Sequence, residues 1–151
     1  MQTVLIVNAL TALAGMIFAN IFGMIWYSQK VFGKAWGEII GVDMNDPVKM
    51  AEGKKSMPML MFLNSIASFV MFFTLPFMAV FIGQLNILGA LTFSAVMWLG
   101  FAVPISLIAA LWSGKSKRLQ VKMFLINIGY YLVTFLFAGL AWVLIYPQFL
   151  G

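Results

Sequence analysis

Reactive side chains are scarce in this sequence. It has no histidine and no cysteine, which removes thiol chemistry, disulfides, metals held by Cys or His, and any His-dependent proton transfer. The only carboxylates are Glu38, Asp43, Asp46 and Glu52. Their spacing forms no metal motif, and a hydrolase would need an activated nucleophile with a base in reach. The expectation is a chain with no catalytic residue, no metal site and no cofactor. What remains are uncharged polar groups in apolar surroundings: Asn8, Asn20, Asn64, Asn127 and Tyr131. Of these, Asn8, Asn64, Asn127 and Tyr131 are the candidate ligand-binding residues. They either converge on a small polar site or serve only as interhelical hydrogen bonds, worth roughly 0.6–2 kcal/mol each.

The elements that would position them follow from the charge map. Of 151 residues, 64% are hydrophobic and 9% charged, against about 25% charged in an ordinary soluble domain. A water-soluble fold of this size cannot hide so much apolar surface. The runs 1–29, 56–114 and 123–151 contain no Asp, Glu, Lys or Arg. A spanning helix needs about 20 apolar residues, and a charge at its centre costs about 2.5–3.5 kcal/mol. The outer runs therefore hold one span each and the middle run holds two. The expected fold is all-α: a single membrane domain, 1–151, built as a four-helix transmembrane bundle with spans at about 3–27, 57–82, 87–112 and 122–146. Pro58 fits the first turn of the second span. A tight connection is expected at Gly83-Gln84-Leu85-Asn86, a stop at Gly114, and an end to the last helix at Pro147. Residues 1–27 read as an uncleaved span, since they lack a basic leader and a small-x-small cleavage site.

All nine Lys and Arg lie in or at the edge of the loops 28–56 and 113–121. Both loops are therefore expected in the cytoplasm and both termini outside, in the cell membrane. The basic residues come with no zinc pattern or aromatic-rich basic sheet, so nucleic acid is not an expected partner. Within the first loop, Val31, Phe32, Ala35, Trp36, Ile39 and Ile40 share one helical face, while Lys30, Lys34 and Glu38 share another with Gly33 and Gly37. That is the pattern of an amphipathic helix at the cytoplasmic interface between spans 1 and 2, lying in the headgroups or packed on the span ends. Asp46-Pro47 reads as the start of a second short helix, ending near Gly53.

Small residues recur within the spans. Asn8, Ala12, Gly15, Ala19 and Gly23 line one face of the first; Ala90, Ser94, Ala102, Ser106 and Ala110 line the third, interrupted by Trp98. Such stripes let helices approach closely, within one subunit or across a homo-oligomer. Pro76 and Pro104 each remove a backbone hydrogen bond, freeing the carbonyls of Phe72 and Gly100, as static kinks or as hinges.

The run Trp26-Tyr27-Ser28, followed by Phe32-Gly33-Lys34 and Trp36, resembles the opening signature of the domain of unknown function 1761 family, a W-Y-S-P-x-x-F-G-K-x-W pattern in which Gln29 here replaces the usual Pro. The segment Phe124-Leu125-Ile126-Asn127-x-Gly129-Tyr130-Tyr131-Leu132-Val133 is similar to the family's closing segment. The resemblance implies a small four-span integral membrane protein and carries no activity with it. Trp26 and Tyr27 stand where a span leaves the membrane, a position that favours them for anchoring alone. The first functional expectation is a non-enzymatic, oligomeric or partner-binding membrane component with the lipid bilayer as its surroundings. The second is a small transporter, or a binder of a lipid or small hydrophobic ligand, near Asn127, Tyr131 and the two prolines. The third is an enzyme whose loop carboxylates act on a lipid headgroup.

Overall fold

The computed structural model describes residues 2–43, 46–82 and 86–146, and within them the chain is helical, with no strand. In order, the helices are α1 (Gln2–Trp26), α2 (Gly33–Ile40), α3 (Pro47–Ile82), α4 (Ile87–Met97), a π-helical turn (Trp98–Ala102), α5 (Val103–Leu111) and α6 (Lys117–Ile145). Four helical segments are long and apolar enough to cross a membrane: Val4–Trp26, Lys55–Pro76, Ile87–Leu111 and Lys117–Ile145. The chain is a membrane-embedded four-span bundle. All charged residues gather toward one end of it, called here the charged end.

Three expected boundaries are corrected. The helix expected over 46–53 does not stop: it runs on as the first turns of α3, so Pro58 lies in a helix interior rather than in a first turn. Asp46 does begin it, accepting from the N–H groups of Val48 (2.9 Å) and Lys49 (3.4 Å). The last span starts earlier than 122, at Lys117, because basic side chains mark water rather than the end of a helix. The loop helix starts only at Gly33, after a turn in which the Ser28 carbonyl accepts from Val31 and Gly33 (3.1 and 2.7 Å). Its glycine face, Gly33 and Gly37, is buried, whereas Val31 and Ile40 of the expected apolar face are exposed. A Cβ at Gly33 would lie 2.6 Å from the Tyr27 carbonyl oxygen, so only glycine lets α2 fold back so closely. Residues 83–85 and Pro147 lie outside the described residues; Asn86 caps α4 by accepting from Gly89 N–H at 2.8 Å. Gly114 adopts φ +69° just beyond α5, where a left-handed stop suits glycine.

Pro104 stands in the first turn of α5, directly after the π turn. A proline ring collides with the carbonyl four residues back; the wider turn moves the Gly100 carbonyl away, and Val103 N–H reaches back to the Trp98 carbonyl instead. The same turn serves packing. A step of four residues overshoots the 3.6-residue turn, so the stripe Ala90, Ser94, Ala102, Ser106, Ala110 would drift around the axis; the wider turn takes back part of that drift. All five are buried, and α4 and α5 both pack on α6. Trp98 does not break the contact: its indole N–H donates to the Ile128 carbonyl of α6 at 2.8 Å.

The stripe on α1 is shared by two neighbours, α3 and α6. Ala12, Ala19, Phe72 and Ala138 form one buried cluster. A Cβ at Gly15 would lie 2.4 Å from the Phe72 ring. Gly23 faces the Tyr130 ring, with room for a Cβ at 3.5 Å. At the uncharged end Val7, Leu75, Ala90, Phe93, Trp142 and Val143 belong to a second cluster, with members from α1, α3, α4 and α6. α3 leans only lightly on α6, so the two helices leave a gap between them.

Gly15→Leu should therefore prise α3 from α1 and lower stability by about 1–3 kcal/mol or more, as overpacking does. Gly53→Ala, whose Cβ meets nothing within 4 Å, should raise stability by roughly 0.5–1 kcal/mol. Thermal unfolding in detergent reads both, and equal melting of Gly15→Leu and the parent would contradict the α1–α3 contact.

Candidate functional site

The span ends at the charged end are joined by aromatic side chains. The Trp26 indole N–H donates to the Ile126 carbonyl (3.2 Å), and the Tyr27 hydroxyl to Asn127 Oδ1 (3.3 Å). Trp26 packs on Phe32 with centroids 4.6 Å apart, and Tyr27 on Trp36 at 5.1 Å. A Cβ at Gly129 would come within 3.0 Å of the Trp26 ring. Burial, with smaller contributions from Tyr131 and Tyr130, pushes the Tyr27 hydroxyl above its ordinary range, so it remains a protonated donor. Lys34 is exposed.

Outside this joint, Glu38 of α2 bonds Arg118 Nη2 at 2.6 Å and also the Lys122 ammonium. Arg118 and Lys122 sit one turn apart at the start of α6, where cations oppose the helix dipole; the carboxylate of α2 supplies the missing negative charge. The hydrogen bond from Lys122 holds Glu38 below its ordinary pKa of 4.5, against some desolvation and with help from Arg118.

One to two turns inward, α1, α3 and α6 enclose a cavity of about 100 Å³. Asn64, Ala67, Ser68 and Met71 line it from α3, Tyr130, Tyr131 and Thr134 from α6, and Ala19 from α1. Its frame is hydrogen-bonded. Tyr130 donates to the Ala19 carbonyl at 2.9 Å. Asn20 Nδ2 donates to the Met16 carbonyl and to Ser65 Oγ, both at 2.9 Å, and Ser65 donates to Met61 at 2.7 Å. The Thr134 hydroxyl is shared between the Tyr130 and Tyr131 carbonyls. Among the described residues Asn64 makes only a long bond, 3.4 Å, to Asn20 Oδ1. Among the described residues no protein group bonds the hydroxyls of Ser68 and Tyr131, although Ser68 is 7% exposed. The cavity therefore has a fixed wall and three polar groups with capacity to spare.

The four candidate ligand residues separate. Asn64 and Tyr131 meet at the cavity, and Asn127 lies one turn from it, engaged by Tyr27. Asn8 is elsewhere, about 16 Å from Ala19 along α1, fully buried, with neither amide atom bonded among the described residues. Thr11 Oγ1, Ser94 Oγ and Trp142 Nε1 are also buried without partners among the described residues; such groups cost about 1–3 kcal/mol each. Ser68, Tyr130 and Thr134 were not expected in the site. For Ser68 and Thr134 the spacing carries the signal: 64 and 68 are one turn apart, and 127, 131 and 134 fall within two turns, so each set shares a face.

The family model described as Protein of unknown function (DUF1761) matches residues 10–143. The chain belongs to this family. No curated protein and no solved structure matches it. In this DUF1761 chain the two motif segments, a hundred residues apart in sequence, form one joint: Trp26 and Tyr27 close on Ile126, Asn127, Gly129 and Tyr130, with Phe32 and Trp36 packed on their rings. The motif thus holds the base of the cavity in place.

The ion pairs of Glu38 should make a pH-dependent contribution. Its pKa is lowered on folding, so the contribution is present above the ordinary value of 4.5 and is lost as the pH falls through the lowered one. Melting of the parent should exceed that of Glu38→Gln at pH 7, and the two should converge in acid. A difference that persists once the carboxyl is protonated would contradict the pairing.

Proposed function

We propose that this chain is a non-enzymatic membrane protein that binds the polar end of an uncharged amphipathic molecule in the cytoplasmic half of the bilayer. The cavity between α3 and α6 carries this reading. At about 100 Å³ it is smaller than the roughly 300–1,000 Å³ of a drug-sized pocket. It fits a head bearing hydroxyl, ester or amide groups, with the apolar remainder left in lipid. Leu63 and Val70, about a quarter-turn round α3 from the lining residues, are exposed and offer such a chain an apolar surface. No ionisable acid or base lies in 56–114 or 123–151 apart from tyrosine, which favours a neutral head, since an unpaired charge there would be costly.

The orientation follows from the nine Lys and Arg: the charged end faces the cytoplasm and the termini face outward in the cell membrane. Assembly through the small-residue stripes loses its support, because α1 spends its stripe on Phe72 and Ala138 and α4 and α5 spend theirs on α6. The carboxylates favour binding over catalysis as well: Glu38 is held by two cations and Asp46 caps α3.

Protein extracted with its surrounding lipid and analysed by native mass spectrometry should retain a neutral amphiphile. Tyr131→Phe should reduce its occupancy about fivefold, as the loss of one hydrogen bond of about 1 kcal/mol requires, and Ser68→Leu should exclude it by filling the cavity. Equal retention by the folded variants and the parent would overturn the proposal.

A further inference from the structure

Four cations gather at the start of α6 and in the turn before it: Lys115, Lys117, Arg118 and Lys122. They divide into two sets. Arg118 and Lys122, one turn apart, are turned toward α2 and share Glu38. Lys117 lies about 140° round the helix from Lys122, on the side away from that carboxylate, and Lys115 stands in the turn. Neither forms an ion pair among the described residues, and no Asp or Glu occurs anywhere in 53–151. Lys115 and Lys117 are therefore two neighbouring cations that no carboxylate answers among the described residues.

Their surroundings are well fixed. The Ser113 hydroxyl donates to the Ala110 carbonyl at 2.7 Å and accepts from the Lys115 N–H at 3.4 Å. Gln120 of α6 donates to the Leu111 carbonyl at 3.1 Å, so the end of α5 and the start of α6 lie side by side. Gly139, which lies against Ser94, is about five whole turns on from Val121, so Val121 stands on the side of α6 that the third span occupies. Lys117, one turn before Val121, shares that side. The neighbouring helix end carries Trp112, 87% exposed. Inward of the lysines the surface is apolar and open: Val121 and Leu125 of α6, and Ile108 and Leu111 of α5, are each more than half exposed.

A soluble anion would answer the cations but not the rest. An indole at the mouth of a span sits at headgroup depth, its apolar body against acyl chains and its N–H toward water. Two cations outermost, an indole at the boundary and an apolar row beneath follow the order of phosphate, glycerol and acyl chain in a phospholipid. We propose that the notch between the end of the third span and the start of α6 binds an anionic phospholipid of the leaflet at the charged end. Lys115 and Lys117 hold the phosphate, Trp112 flanks the glycerol, and an acyl chain follows Val121 and Leu125. A zwitterionic lipid brings its own cation to the lysines and gains less from them. The site is separate from the cavity between α3 and α6 and does not depend on what that cavity binds.

The protein in detergent, given equal amounts of dioleoyl phosphatidylglycerol and dioleoyl phosphatidylcholine, can be read by native mass spectrometry. Phosphatidylglycerol should be retained in preference. Lys115→Gln and Lys117→Gln should each lower that preference about fivefold at unchanged melting temperature. Lys49→Gln and Lys55→Gln remove the same charge from the aqueous end of α3 and should leave it unchanged, as should Tyr131→Phe. Inorganic phosphate, compared with sodium chloride at equal ionic strength, should not displace the lipid. Equal retention of the two lipids by the parent would overturn the proposal. So would an equal loss in the α3 variants, which would reduce the effect to net charge, or a loss in Tyr131→Phe, which would move the anion to the cavity. Displacement by phosphate would assign the lysines to a soluble anion and overturn it too. The neutral amphiphile of the cavity is counted in the same spectra, so the two readings stand or fall separately.

Discussion

Helices in lipid gain nothing from hiding apolar side chains from one another, since the solvent is as apolar as they are. They stay together where backbones can come close, and in this chain that condition is met chiefly by α1. Its run of Ala12, Gly15 and Ala19 is narrow enough for two neighbours to use the same helix, Phe72 of α3 entering at Gly15 and Ala138 of α6 lying against the alanines. The rest of the arrangement depends on that shared face. Because α1 holds both α3 and α6, those two need not hold each other. The space between them remains partly unfilled, and the cavity forms there.

The polar chemistry is distributed in keeping with this. Hydrogen bonds that fix the frame run through α1: Asn20 to Ser65, Tyr130 to the Ala19 carbonyl, and Trp26 to the Ile126 carbonyl. Groups left with capacity lie where α1 is only the back wall, at Ser68, Asn64 and Tyr131. The family motif occupies the base of the same frame, which explains why aromatic residues with ordinary anchoring chemistry are tied by direct contacts to a segment a hundred positions away.

Much of the architecture was legible in the residues. The positions of thirteen charges located four spans, since ionised groups are excluded from hydrocarbon irrespective of how helices pack. The same signal misplaced helix ends, because it reports where water begins: α3 and α6 extend past that boundary, and neither Gly53 nor Pro58 interrupts α3. The stripes were identifiable as contact faces, but not their partners, which depend on a single ring meeting Gly15. Asn64 and Tyr131 stood out individually as polar groups among apolar ones. Their convergence could not be read, because it arises from the order in which helices surround α1, and no local pattern encodes that order. Asn8 carried the same local signal and lies well apart from them, for the same reason.

The length of α3 has a mechanical meaning. Its 36 residues make a rod of about 54 Å, well over the roughly 30 Å of hydrocarbon. The surplus is the polar stretch from Pro47 to Ser56, continuous with the segment bearing Asn64 and Ser68. A helical handle therefore stands in the aqueous phase, continuous with one wall of the cavity through the turn at Pro58, where one backbone hydrogen bond is missing. A sideways pull on that handle would meet Pro58 before it reached the gap between α3 and α6, so this one missing bond sets how much of the pull arrives there as a tilt about the Gly15 contact.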